Sequence, residues 1–159
     1  MCEVTVIIAS YNNPQYIAET IESIVNQTVK AKIIIADDGS SKETLEILSN
    51  YEDYINILVM YSEINVGIVA NLRRCVGLVD TEYWCLIGSD DLWHHTKLEK
   101  QLEFMNSNLE CSMSFTQGRA IDANGCEIGD LNHPHRTASR ILLKDILKKL
   151  DLPPASIMG

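Results

Sequence analysis

Lys32-Ile33-Ile34-Ile35-Ala36-Asp37-Asp38-Gly39-Ser40 decides how the rest of this chain is read. The apolar run 33–36 is too short for a helix and shows no polar alternation, the pattern of a strand covered on both faces. Asp-Asp-Gly-Ser then turns the chain, and Ser40 with Glu43 has the spacing of a capping box that opens a helix around Leu45 and Leu48. Upstream, Val4-Thr5-Val6-Ile7-Ile8-Ala9 is a second buried strand, ending in Ser10-Tyr11-Asn12. A helix over 14–27 follows, with Ile17, Ile21, Ile24 and Val25 at helical spacing and Pro14 suited to its first turn.

Downstream the alternation continues. Residues 55–61 read as a third strand, 66–78 as a helix, and Tyr83-Trp84-Cys85-Leu86-Ile87 as a fourth strand that runs into Gly88-Ser89-Asp90-Asp91. A helix is expected over 96–106. Beyond it the pattern changes: residues 112–116 read as a strand, Asn124-Gly125 as a hairpin turn, and 131–138 as a polar loop. A last helix carries Leu142, Ile146 and Leu150 until Pro153-Pro154 ends it. Strands alternating with helices predict an α/β fold, a mostly parallel sheet flanked by helices.

With 159 residues and 46% hydrophobic content, the chain can bury one core, and a single domain over 1–159 is expected. No stretch approaches the roughly 20 apolar residues of a membrane span, and the short run at 4–9 behind Glu3 does not read as a signal peptide. The expected location is cytoplasmic. Five cysteines without CxxC spacing point away from a disulfide framework or a zinc site. A net charge of -9, with 13 Lys and Arg spread along the chain, excludes a nucleic-acid surface. If the ligand is a phosphate, something positive must offset that acidity, and a divalent cation would do so.

Ligands of open α/β sheets bind outside the carboxyl ends of the strands. Three strands end there in polar groups: Ser10-Tyr11-Asn12, Asp37-Asp38-Gly39 and Ser89-Asp90-Asp91. One Asp-Asp-Gly is ordinary turn chemistry; three such ends point to a shared crevice. Carboxylates at Asp90 and Asp91 suit a hard cation, Mn²⁺ or Mg²⁺, that keeps positions open for phosphate.

These blocks, with Asn65-Val66-Gly67 and Asp91-Leu92-Trp93 followed by Lys97-Leu98-Glu99, resemble the family 2 glycosyltransferases of GT-A fold over roughly residues 3–105. The resemblance implies a nucleotide-diphosphate sugar donor, with a UDP-sugar favoured, and a saccharide or lipid-linked acceptor. Residues 1–106 would form the donor-binding part and 107–159 the start of the acceptor part. Tyr11 would lie against the base with Ser10 and Asn12 nearby; Asp38 would accept from the base's ring N–H and Asp37 would support that loop. Asn65, Gly67, Asn71 and Arg74 fall in the segment that approaches ribose and phosphates, with Ser89 beside the metal-binding Asp90 and Asp91. Gly88 stands where many members carry an Asp, so either one contact is missing or Asp91 replaces it. The resemblance further implies peripheral membrane association of the whole protein, at the inner face. An inverting general base would come from a Glu-Asp motif beyond Gly159, so the chain is expected to be a truncated piece. Asp122, Asp130 and Asp145 offer no reason for that role, and His94, His95, His133 and His135 read as loop histidines. A noncatalytic nucleotide-binding module and a phospho-acceptor signalling domain are the competing classes.

Overall fold

The computed structural model describes residues 3–130 and 156–158. The order is β1 (Val4–Ser10), α1 (Ile17–Val25), β2 (Lys32–Asp37), α2 (Lys42–Ser49), β3 (Ile57–Met60), α3 (Ile68–Val76), β4 (Tyr83–Gly88), α4 (Lys97–Ser107), β5 (Met113–Phe115), β6 (Arg119–Ile121), β7 (Glu127–Asp130) and β8 (Ser156–Met158). The chain forms two compact units, Met1–Ser114 with Ser156–Gly159, and Phe115–Ala155. The expected loop over 131–138, with His133 and His135, and the helix around Leu142, Ile146 and Leu150 lie outside the described residues.

The large sheet runs β3-β2-β1-β4-β8-β5. β1 pairs in parallel with β2 and β4, β2 in parallel with β3, and β8 runs antiparallel to β4. The chain therefore steps outward from β1 through β2 to β3 and returns to the other side of β1 with β4. That reversal opens a crevice at the carboxyl ends of β1 and β4.

Side chains alternate across the sheet. Val4, Val6 and Ile8 pack with Ile17 and Ile21 of α1, Leu48 of α2, and Leu98, Leu102 and Met105 of α4. Ile7, Ile34 and Ala36 face Cys75 of α3 on the other side. Among the described residues, Ile7 is the one large, fully buried side chain on the α3 face. Because each such side chain contributes about 1.5–3 kcal/mol, the face covered by α1, α2 and α4 carries most of the stabilisation.

Two helix starts differ from the sequence expectation. α1 begins at Ile17, because the Asn13 carbonyl accepts the Tyr16 and Ile17 N–H groups and folds Pro14 into a preceding turn. The capping box at Ser40 is also absent. Ser41 is the N-cap of α2 and makes no side-chain cap, while Ser40 Oγ accepts the Asn12 N–H at 3.0 Å. In the smaller unit, the Asn124-Gly125 turn joins β6 to β7 as expected, with Gly125 at φ 77° and Asp122 Oδ1 accepting the Asn124 and Cys126 N–H groups.

Lys97 is an unusual core residue. Its ammonium sits 4.0 Å from the Trp93 ring centroid and donates to Gln101 Oε1; Gln101 Nε2 in turn donates to Ser114 Oγ at 3.1 Å. Burial pushes the Lys97 pKa down from 10.5 to about 8. Between those values the unfolded chain binds more protons than the folded one, so this group's contribution to stability rises with pH across that window and is least favourable below it. Lys97→Met is expected to raise stability at neutral pH and to flatten the rise between pH 8 and 10.5. Urea unfolding of both proteins across that range checks it; parallel curves would refute the assignment.

Candidate functional site

Ala9, Ser10, Tyr11 and Asn13 from the end of β1, Gly88, Ser89 and Asp90 from the end of β4, Asp38 from the turn after β2, and Ile68 and Asn71 from α3 line one cavity of about 230 Å³. It lies where the strand order reverses. Tyr11, Asp38 and Asp90, expected from three separate strand ends, share its wall. Tyr11 is exposed, so its ring is available to a flat ligand.

The β2–α2 turn organises the base side. Asp37 is fully buried, and its Oδ2 accepts the Gly39 and Ser40 N–H groups, each at 3.1 Å. Asp38 reaches the other way: Oδ1 accepts the Val66 N–H at 2.8 Å and Oδ2 the Gly67 N–H at 2.9 Å. The carboxylate therefore fixes the start of α3, and each oxygen retains acceptor capacity. Gly39 permits this approach. It has φ +74°, and an added Cβ would stand 2.6 Å from the Ile64 carbonyl carbon, so only glycine fits there. Asn12 Oδ1 accepts the Ser41 N–H at 2.7 Å and ties this turn to the end of β1.

At the end of β4, a Cβ on Gly88 would stand 3.0 Å from Asp90 Oδ1 and 3.4 Å from Asp91 Oδ2. Both carboxylates thus turn toward one spot above the strand end, a place free because residue 88 has no side chain. Partial desolvation and the adjacent Asp90 push the Asp91 carboxyl above the ordinary carboxylate range. Two like-charged oxygen groups brought together suit a divalent cation. Among the described residues no group of three or more His, Cys, Asp or Glu could hold a metal unaided, so a cation here would complete its shell with water and phosphate oxygens, as Mg²⁺ does.

Ser10 Oγ and Asp37 Oδ1 are buried without a hydrogen-bond partner among the described residues. Ser10 lines the cavity, where a ligand would satisfy it; buried polar groups are otherwise paired.

Not every expected residue reaches this wall. Arg74 donates to the Tyr61 carbonyl at 2.9 Å and to Asn71 Oδ1 at 3.2 Å. Asn71 Nδ2 donates to the Ala36 carbonyl at 2.8 Å, so it braces β2 while lining the cavity. Asn65 accepts the Gly67 N–H within its own turn. Asn12, Asp37, Asn65, Gly67, Arg74 and Asp91 lie around the site without lining the cavity. Asn13 and Ile68 line it and were missed. Asn13 Nδ2 donates to Ser89 Oγ at 2.8 Å and links β1 to β4. Its position directly after Ser-Tyr-Asn was the available signal, whereas Ile68 offered none, being one apolar residue among many. His94 and His95 are exposed, with His94 Nδ1 against Thr96 Oγ1.

The family model described as glycosyl transferase family 2 matches residues 5–151. A putative teichuronic acid biosynthesis glycosyltransferase of Bacillus subtilis, TuaG, is 36% identical over 132 residues, 82% of this chain and 52% of the relative. Among solved structures, S. aureus TarS in complex with UDP-GlcNAc superimposes with a TM-score of 0.65 at 22% identity, covering 76% of this chain and 37% of that one. The mannosyltransferase PcManGT of Pyrobaculum calidifontis, in complex with GDP-Man and Mn²⁺, superimposes with a TM-score of 0.60 at 18% identity, covering 65% and 32%. The chain spans about half the length of the curated relatives it matches.

Proposed function

The chain belongs to glycosyl transferase family 2, and from that premise we propose that it binds a UDP-sugar donor for transfer, with inversion, to a saccharide or lipid-linked acceptor. Its fold is the GT-A type expected from the sequence. The observation that carries the reading is the single cavity shared by Tyr11, Asp38 and Asp90. S. aureus TarS, a neighbour in fold, is bound to UDP-GlcNAc, which supports a nucleotide-diphosphate sugar as donor and is compatible with uracil.

In this reading Tyr11 stacks on the base, Asp38 accepts the ring N–H with its remaining lone pairs, and Ser10 Oγ finds its partner on the nucleoside. Asn13 and Ser89, joined across the crevice, bound the ribose side. Asp90 and Asp91 would hold Mn²⁺ or Mg²⁺, with Asp91 taking the place of the carboxylate that Gly88 lacks. The Mn²⁺ with PcManGT supports this use. When bound, the cation neutralises the charge that develops on the leaving UDP. The protein's part is to orient the donor and to keep two carboxylates turned to one point. Asp122 is not given the role of base, because its carboxylate is used inside the β6–β7 turn. Residues 1–106 are the donor part and 107–159 the start of the acceptor part. No described helix is long and apolar enough to cross a membrane; attachment to the inner face, with the protein in the cytoplasm, is proposed as peripheral.

Calorimetry with UDP and UDP-sugars, with and without Mn²⁺, tests this directly. Binding strengthened by Mn²⁺ is expected. No UDP binding under either condition would refute the donor-site reading, and binding without release of UDP from any UDP-sugar would favour a noncatalytic module.

A further inference from the structure

One face of α1 carries polar groups that a packing helix does not need. Ile17, Ile21 and Ile24 fill the core as expected of an amphipathic helix, yet Thr20 between them is 0% exposed and Gln27, just past the helix, is 5% exposed. Buried polar side chains are unfavourable unless their hydrogen bonds are made, so the partners identify their use.

All of their long-range partners lie in one segment, from Asp91 to Leu98. Thr20 Oγ1 donates to the Asp91 carbonyl at 3.0 Å. Ser23 Oγ accepts the Trp93 N–H at 3.3 Å while donating to the Thr20 carbonyl at 2.7 Å. Gln27 Nε2 donates to the His94 carbonyl at 2.9 Å, and its Oε1 accepts the Leu98 N–H at 3.0 Å. The Thr28 N–H donates to the His95 carbonyl at 3.0 Å. Residues 91 and 93 are thus fastened to α1, and 94, 95 and 98 to the turn just past it, about 70 positions earlier, a separation of 71 for Thr20 and Asp91.

We propose that this polar face of α1, with the turn just past it, positions the metal-binding carboxylates, with Thr20 and Gln27 as positioning residues that touch neither cation nor donor. Thr20 holds the peptide plane that leaves Asp91, and so fixes the direction in which the Asp91 carboxylate leaves the backbone. Gln27 locks the far end of the same loop to the start of α4. A loop of two exposed carboxylates beside each other would otherwise swing apart under their mutual repulsion. Groups that orient a metal's ligands affect affinity without contacting the metal. The inference rests on Asp90 and Asp91 being those ligands, as proposed above.

Thr20→Val keeps the shape and β-branching and removes only the hydroxyl. In the full chain it is expected to leave the unfolding midpoint and metal-free UDP binding close to wild type. The Mn²⁺ affinity measured at saturating UDP should fall about 10- to 100-fold, and Thr20→Ser should restore it. Ser23→Ala is the second variant, with faster amide hydrogen exchange at Trp93 as a readout that needs no metal. If wild type binds UDP with Mn²⁺ and Thr20→Val has the same Mn²⁺ affinity, the positioning role is overturned alone. If wild type shows no Mn²⁺ effect, the metal reading beneath it falls. Unchanged exchange at Trp93 in Ser23→Ala would overturn the anchoring itself.

Discussion

Replacing Asp90 by alanine is expected to abolish the Mn²⁺-dependent part of UDP binding while leaving the fold intact. Asp90 lines the cavity, is exposed, and its carboxylate shares one spot with that of Asp91. The cation proposed for this site would lose one of its two protein carboxylates with this change. Altering mere supports of metal ligands already costs about 10- to 100-fold, so removing a ligand should cost at least about 100-fold in Mn²⁺ affinity. Stability should not fall. Asp90 makes no hydrogen bond or ion pair among the described residues, and its removal relieves the repulsion that contributes to the raised pKa of Asp91. Titrating Mn²⁺ into protein saturated with UDP, alongside a thermal unfolding curve, separates the two effects. An unchanged Mn²⁺ affinity removes Asp90 from its role; a lost fold would show the residue to be structural.

The parts of the site that sequence revealed are those fixed by short-range chemistry. Ile33, Ile34 and Ile35 marked β2 because β-branched runs favour buried strands. Asp37-Asp38-Gly39 marked its end because the turn needs a residue at positive φ, and Gly39 at +74° supplies it. What escaped notice was the pairing between loops distant in the chain. Asn12 with Ser41, Asn13 with Ser89, and Thr20 with Asp91 are separated by 29, 76 and 71 residues. The first exists because β2 pairs beside β1 and the other two because β4 returns to its other side, and hydrophobic periodicity carries no information on strand order. Arg74 illustrates the same limit. The resemblance set it in the segment that approaches ribose and phosphates; in the structure, one turn after Asn71, it donates to the Tyr61 carbonyl. The helix over 14–27 was misjudged at its start for a local reason. Pro14 favours a first helical turn as readily as an ordinary turn, and the Asn13 carbonyl decides between them.

Asp38→Ala should show two losses that can be measured apart. The first is structural. The Val66 and Gly67 N–H groups would lose their carboxylate acceptors at 2.8 and 2.9 Å; a hydrogen bond to a charged group contributes about 1.5–3 kcal/mol, less here because Val66 is exposed and Gly67 half-buried, so water replaces part of it. Gly67 retains Asn65 Oδ1 at 3.1 Å, so a total destabilisation of about 2–4 kcal/mol in urea unfolding is expected. The second concerns the ligand. A charge-assisted hydrogen bond to the base contributes about 1.5–3 kcal/mol, or roughly 10- to 150-fold in affinity. Uridine binding without metal should fall by that amount at a temperature where the variant is still folded. Asp38→Asn discriminates between the two roles. It keeps one oxygen for the backbone but presents an NH₂ group and no charge, so part of the stability should return while uridine affinity stays low. If Asp38→Asn regains stability and uridine affinity together, Asp38 serves the base only by holding the 66–67 backbone, and direct acceptance of the ring N–H is wrong.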